Sequence, residues 1–209
     1  FKNEIITQRL RELAFLNSGL EISYLDERKQ AGEREVFYYK DGVVEFVKQL
    51  NKSKAALHPK PIAFNKETRQ KNEDKDIEVH VEAVLQYNDS YNDQVLCYTN
   101  TIHNPDGGAH LSGFRSAVTR AINQYAKSHE LLKDKDPQIT GDDVREGLTA
   151  VVSVKHSDPK FESQTKVKLI SPEVDGIVGS VVYEGLMSYF DGNPPIAKRI
   201  VDKVTDGGW

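Results

Sequence analysis

The run IEVHVEAVLQYN, residues 77–88, sets Ile77, Val79, Val81 and Ala83 in alternation with Glu78, His80 and Glu82. Successive side chains of a strand point to opposite faces, so a period of two describes a strand with one face in a core and the other in water. A chain with such a strand must supply a second layer to cover the apolar face. His80 falls on the wet face and reads as a surface histidine. The runs PIAFNKE and QVLCYTNTI on either side are also strand-like, and the three together predict an antiparallel meander.

The covering layer is encoded further on. In LSGFRSAVTRAINQYAKSH, Leu111, Phe114, Val118, Ile122 and Tyr125 recur on one helical stripe, with Arg120 and Lys127 opposite. Arg115 sits at the stripe's edge, where its stem packs and its head stays wet. GDDVREG reads as a brief helical turn, and LTAVVSVK is apolar enough to be a central strand. SPEVDGIVGSVVYEGLMSYF predicts a helix capped by Ser171 with Pro172 in its first turn, and NPPIAKRIVDKV a second one capped by Asn193.

Before the meander, NEIITQRLRELAFLN predicts a helix with Ile6, Leu10 and Leu13 as its stripe, widened by Ile5 and Leu16 and stopped by Asn17 and Gly19. LEISYLD and REVFYYK predict a hairpin around Gly32, and DGVVEFVKQLN a short helix broken beyond by Pro59 and Pro61. Strands first, then helix, strand and helices, make an α+β fold whose sheet is covered mainly on one side.

Composition narrows the function classes. The 209 residues, 38% hydrophobic and 29% charged, fit one large domain or one domain with an attached piece. A net charge of −4 excludes a surface that is basic all round, so any nucleic-acid contact must come from a local cluster. The single cysteine, Cys97, excludes an internal disulfide, reads as a small buried hydrophobe, and fits a reducing, cytoplasmic setting. No apolar run approaches the ~20 residues of a membrane span. The chain begins at Phe1 with neither initiator methionine nor signal-peptide pattern, and is expected to be a piece of something longer.

Three candidate chemistries are weak. His103 and His110 flank the loop HNPDGGAH, but no cysteine or carboxylate spacing nearby resembles a structural zinc site, and no protein-held metal is predicted. HLSGF lacks the first glycine of a nucleophile elbow. Gly107 and Gly108 fit a phosphate cradle and a tight strand-to-helix connection equally well.

The loop after the central strand, roughly 15 residues long, is longer than connections usually are and contains FESQTK. A phosphoryl group leaving a nucleotide develops negative charge that the compact ammonium of Lys166 can meet, and Gln164 adds a neutral amide donor. No Walker loop and no acidic metal–phosphate setting accompany them. The pair would therefore act on a nucleotide held elsewhere; otherwise the loop is simply solvated.

QRLRELAFLNSGLEI, DGVVEFVKQLN, GGAHLSGFRSAVTRAIN and GDDVREGLTAVVSVKHSDPKFESQTKVKL, with the EV that follows, closely resemble the B subunits of DNA gyrase, in the family's order and over most of the chain. They match the transducer, the second domain of the ATPase region. The paralogous subunit of topoisomerase IV is similar over the same blocks, with gyrase the nearer. The resemblance implies a two-layer α+β sandwich of the type shared with domain 2 of a small-subunit ribosomal protein, with a left-handed βαβ crossover, contrary to the usual hand. It implies a transducer over residues 1–204 and a tail or chain end over 205–209. ATP and Mg²⁺ would be held mainly by a preceding domain outside this sequence.

In the family, the glutamine and lysine of the Gln-Thr-Lys loop contact the γ-phosphate of ATP. Gln164 and Lys166 match them, with Thr165 between, and Lys166 is the expected catalytic residue. Arg115, in GFR, matches an arginine facing a cavity through which DNA passes, with Arg120 and Arg145 as further candidates for that lining. The partners implied are DNA, the A subunit of gyrase, and a second copy of the B subunit. The activity implied is that of an ATP-hydrolysing isomerase of DNA topology, with negative supercoiling by the whole enzyme and none by this piece alone. Two departures stand out: the glycine loop reads DGGAH where the family commonly has Glu-Gly-Gly-Thr-His, and VTDGGW ends the chain where the family continues in a long basic helix.

Two readings of other classes compete. One is a nucleic-acid-binding module stacking bases on Tyr38, Tyr39, Tyr87 and Tyr98; the other is a dimerisation scaffold.

Overall fold

A computed structural model of the chain describes residues 2–28, 34–71 and 74–206. Helix α1 (Asn3–Leu16) leads into a hairpin of β1 (Glu21–Leu25) and β2 (Arg34–Tyr38), paired antiparallel, and then into α2 (Val43–Leu50). Gly32, the expected centre of the hairpin turn, lies outside the described residues. A five-stranded sheet follows, built from β3 (Ile62–Lys71), β4 (Asp76–Tyr87), β5 (Gln94–Thr99), β6 (Ile102–His103) and β7 (Leu148–His156). Between β6 and β7 lie α3 (Ala109–Ser128) and α4 (Gly141–Arg145), and the chain closes with α5 (Pro172–Gly192) and α6 (Pro194–Asp206). Of the expected tail, Thr205 and Asp206 are helical and residues 207–209 lie outside the described set.

The meander is half right. β3 and β4 pair antiparallel as expected, but the sheet order is β3-β4-β7-β5-β6. β7 enters between β4 and β5, antiparallel to the first (Val81 opposite Val154) and parallel to the second (Cys97 opposite Val152). The reason is burial. From Leu148 to Val154 every residue of β7 is buried, so both of its faces need cover and it takes the centre. Parallel pairing of β5 with β7 requires a crossover, and α3 supplies it. This is the βαβ unit to which the resemblance assigns a left-handed path.

Both faces of the sheet are covered, unequally. Val79, Val81, Ala83, Leu85, Cys97, Ala150, Val152 and Val154 pack beneath α3, α5 and α6 in the main core. On the other face, Val84, Tyr98 and Val151 meet α1 and α2 through Phe15, Leu16, Val43, Phe46 and Val47. This explains why the alternation of β4 stops at Ala83: beyond it both faces are dry, and Val84, Leu85, Gln86 and Tyr87 are all buried. Phe15 stacks on Tyr39 and Phe46, with ring centroids 3.8 and 4.7 Å away. Burial in α1 is thus confined to its last turn, and Ile5, expected on the stripe, is 64% exposed.

Helices α3 and α5 approach closely at Gly113, where a Cβ would stand 2.3 Å from the Asp175 carbonyl oxygen. The α3 stripe is as expected: Phe114, Val118, Ile122 and Tyr125 are buried while Arg120 and Lys127 are exposed. Asn193 departs from expectation in one respect. Its backbone carbonyl receives the Ala197 N–H at the start of α6, but its side-chain amide donates back to Tyr189 of α5 at 2.9 Å.

Candidate functional site

The segment between β7 and α5 doubles back on itself. Phe161 bridges Leu169, the Glu162 N–H donates to the Lys168 carbonyl at 3.1 Å, and the Ile170 N–H donates to the Lys160 carbonyl at 2.8 Å. Its tip is a tight turn in which the Lys166 N–H donates to the Ser163 carbonyl at 3.1 Å and the Ser163 and Thr165 hydroxyls lie 2.6 Å apart. Ser171 stands at the N-cap position of α5, yet its hydroxyl makes no helix cap; it accepts the Lys160 N–H at 2.8 Å and pins the base of the loop.

The glycine loop holds this segment from the side. Leu169 donates its N–H to the Gly107 carbonyl at 3.0 Å and accepts the Ala109 N–H at 2.9 Å, while the Asp106 N–H donates to the Val167 carbonyl at 2.9 Å. Gly108 has φ +126°, and a Cβ there would lie 2.1 Å from the Leu169 carbonyl oxygen. Of the two readings of Gly107–Gly108, the tight connection prevails. The amides of Asp106, Gly107 and Ala109, which a phosphate cradle would need, are taken by the chain itself.

A buried polar trio completes the support. The Asn104 side-chain amide donates to the Lys166 carbonyl at 2.5 Å, while its own oxygen receives the Thr99 hydroxyl at 2.7 Å and His110 Nε2–H at 3.0 Å. Asn104 is 2% exposed; Thr99 and His110 are fully buried. His110 Nδ1 has no partner among the described residues, and burial pushes the ring's pKa down to about 4. Sequence patterning raises His110 only as a metal ligand and passes over Asn104 and Thr99.

Gln164, Thr165 and Lys166 are all exposed at the tip. Lys166 has φ +58°, and its ammonium lies 5.9 Å from the centre of the Phe161 ring, with no ion pair among the described residues. The donor set, one ammonium and one amide on a fixed backbone, suits a phosphoryl oxygen. Among the described residues no group of His, Cys, Asp or Glu is arranged to hold a metal ion.

The three arginines converge. Arg115 and Arg120 of α3 and Arg145 of α4 line one cavity of about 490 Å³, together with Lys127. Arg115 and Arg145 also border a second cavity, of about 660 Å³, whose far wall carries Lys168 of the loop. Arg115 faces Asp93 at 3.4 Å, Arg145 faces Asp142 at 3.8 Å, and the Arg120 guanidinium lies 4.3 Å from the Tyr183 ring centre. α4, which holds Arg145, is fixed by a capping box in which Thr140 and Asp143 bond reciprocally.

The stacking platform is not available. Tyr87 and Tyr98 are core residues, each 1% exposed, and Tyr87 donates its hydroxyl to the Val144 carbonyl at 2.8 Å. Tyr39 is itself stacked on Phe15, leaving Tyr38 as the exposed member. Cys97 is buried, and its thiol pKa is pushed up to about 12 by that burial, so it is a packing residue. No described helix is long and apolar enough to cross a membrane.

The family model described as DNA gyrase B matches residues 42–207. The DNA gyrase B subunit of Clostridium acetobutylicum is 46% identical over 96% of this chain, which spans 30% of that relative. Among solved structures, the 43K ATPase domain of Thermus thermophilus gyrase B, in complex with an aminocoumarin, superposes with a TM-score of 0.85 at 43% identity, over 99% of this chain and 53% of that one. The topoisomerase IV ATP-binding domain of Francisella tularensis follows at a TM-score of 0.78 and 26% identity, again over 99% of this chain and 53% of that one. Fold, motif order and relatives agree: the chain belongs to the DNA gyrase B family.

Proposed function

We infer that this chain is the transducer portion of an ATP-dependent type IIA DNA topoisomerase, a gyrase, and that it couples ATP binding and hydrolysis in a neighbouring domain to DNA strand passage. The observation that carries the reading is the construction of the loop tip. Its backbone is held by the turn bond from Lys166 to Ser163 and by the Asn104 amide, while the side chains of Gln164 and Lys166 are exposed to solvent.

ATP, held with Mg²⁺ mainly by a preceding domain, supplies a terminal phosphoryl group that gains negative charge as it leaves. Lys166 meets that charge with the ammonium at the end of its long side chain, and Gln164 donates a neutral hydrogen bond beside it. Because the loop gains these bonds only with a triphosphate, it favours the domain arrangement that brings it to the nucleotide, and hydrolysis removes the preference. The loop runs directly into α5, and the glycine loop runs into α3, so a shift at the tip is delivered to both helices. The groove of Arg115, Arg120 and Arg145 is the surface offered to DNA phosphates, independent of base sequence. The expected protein partners, in the cytoplasm, are the A subunit of gyrase and a second copy of the B subunit. This chain alone is expected to hydrolyse no ATP.

Lys166→Ala in the full-length protein tests the reading. ATP turnover should fall by about two orders of magnitude, the scale of losing one charge-stabilising donor, while folding stability stays within ~0.5 kcal/mol, as for an exposed residue. Unchanged turnover in that variant rejects it.

A further inference from the structure

The tip that carries Lys166 is not self-supporting. Lys166 adopts φ +58°, a region that residues with a Cβ avoid, and its own N–H is spent inside the turn on Ser163. Among the described residues, its backbone receives one hydrogen bond from outside the loop, from Asn104 Nδ2. That amide cannot turn over. Its oxygen is fixed by Thr99 and His110, and rotating it would set oxygen against the oxygen of the Lys166 carbonyl. Three buried polar side chains in contact are costly unless bonded, and here every bond that Asn104 makes from its side chain serves to hold one carbonyl, with His110 Nδ1 left over.

We propose that Asn104, gripped by Thr99 and His110, is a positioning residue for the phosphate-sensing lysine: it fixes the Lys166 carbonyl and thereby the direction and reach of the ammonium. The proposal rests on the reading of Lys166 given above. It has a second consequence. His110 lies in the first turn of α3, the helix that carries Arg115 and Arg120, so the trio joins the sensor loop to the helix of the basic groove through hydrogen bonds rather than through chain connectivity.

The test uses the full-length protein with variants Asn104→Ala, Thr99→Val and Lys166→Ala, and the two doubles with Lys166→Ala. The readouts are kcat and KM for ATP, the affinities for a non-hydrolysable ATP analogue and for ADP, and the melting temperature. Asn104→Ala should lower kcat about tenfold and weaken the analogue, with ADP affinity unchanged, because a small misplacement of a reacting group has effects of that order. Thr99→Val preserves volume and should give a smaller loss, about threefold, with the same pattern. Neither change should reduce activity further when Lys166 is already alanine.

A folded Asn104→Ala with unaltered kcat and an unaltered analogue-to-ADP affinity ratio overturns the proposal, as do losses that add fully to those of Lys166→Ala. Should Asn104→Ala fail to fold, Thr99→Val decides by the same readouts. If Lys166→Ala itself leaves the ratio and kcat untouched, the sensor reading fails and takes the proposal with it. If Lys166→Ala has its effect and Asn104→Ala has none, the proposal alone falls.

Discussion

The imidazole of His156 donates from Nε2 to Glu173 Oε1 at 2.6 Å, joining the last residue of β7 to the first turn of α5 across the base of the β7–α5 loop. The other ring nitrogen accepts the Asp158 N–H at 2.8 Å, which leaves the proton on Nε2 and fixes the tautomer. Glu173 gains additionally from its place at a helix N-terminus. Glu173→Ala strands a fully buried donor and should cost about 1–3 kcal/mol of unfolding free energy. Glu173→Gln retains an acceptor oxygen and should cost less than half as much. Urea denaturation of the three proteins at unchanged m-value measures both, and equal losses would show that the acceptor is not what matters.

Acid should weaken this fold earlier than its carboxylates alone would. His110 and His58 are buried, and desolvation lowers both pKa values below 6.5, that of His110 to about 4. His58 is further committed to the neutral form, because Nδ1–H donates to the Lys60 carbonyl while Nε2 accepts the Tyr87 N–H. With folded-state values depressed, their contribution is complete above about pH 6.5. It is lost as pH falls from there, where the unfolded chain takes up protons that the folded one refuses. For His110 the loss by pH 4 is on the order of 3 kcal/mol. Unfolding free energy followed from pH 7.5 downward should therefore drop more steeply in the wild type than in His110→Gln. Parallel curves would refute the assignment.

Gly108 and Gly176 make a matched pair for substitution by alanine. At Gly108 a Cβ meets the Leu169 carbonyl oxygen at 2.1 Å on a backbone with φ +126°, so the β7–α5 loop must undock or the turn must distort. The expected cost is about 2–4 kcal/mol. Gly176 is exposed within α5 and has nothing within 4 Å of the added atom, so alanine there should stabilise by about 0.5–1 kcal/mol through helix propensity. Thermal melts of the two variants should move in opposite directions.

What the sequence made legible follows from how local each signal is. The α3 stripe and the alternation of β4 are short-range periodicities, and both were readable because one face of each element meets a single core. The place of β5 was not, because its neighbour β7 arrives about fifty residues later and nothing in QVLCYTNTI distinguishes pairing with β4 from pairing with β7. Ile5 was misplaced because helical spacing says which residues share a face, not whether another element covers it. At the site, Gln164 and Lys166 stood out by their chemistry in an unusually long loop and Arg115 at the edge of a helical stripe, and the resemblance added the roles. Asn104, Thr99 and His110 share no spacing rule and are brought together only by the turn from β5 into α3. Likewise Asn51, Gln86, Asn88 and Thr149, bonded to one another within the core, read in sequence as ordinary polar residues.

The arginine groove predicts a graded response to DNA. Arg120 is exposed, stacked on Tyr183 and free of a carboxylate among the described residues, whereas Arg115 is already paired with Asp93 at 3.4 Å. A guanidinium facing a carboxylate brings less net charge to a phosphate. Arg120→Gln in the full-length enzyme should therefore weaken DNA binding uniformly across sequences and reduce the slope of log affinity against log salt by about 0.9, the value for one lost phosphate contact. Arg115→Gln should do less. Asp93→Asn should act in the opposite sense, steepening the salt dependence by releasing Arg115. Binding titrations on a fixed duplex across a series of salt concentrations separate the three. If Asp93→Asn leaves the slope unchanged while Arg115→Gln flattens it, the Asp93 pair does not restrain Arg115 and this ordering of the arginines is wrong.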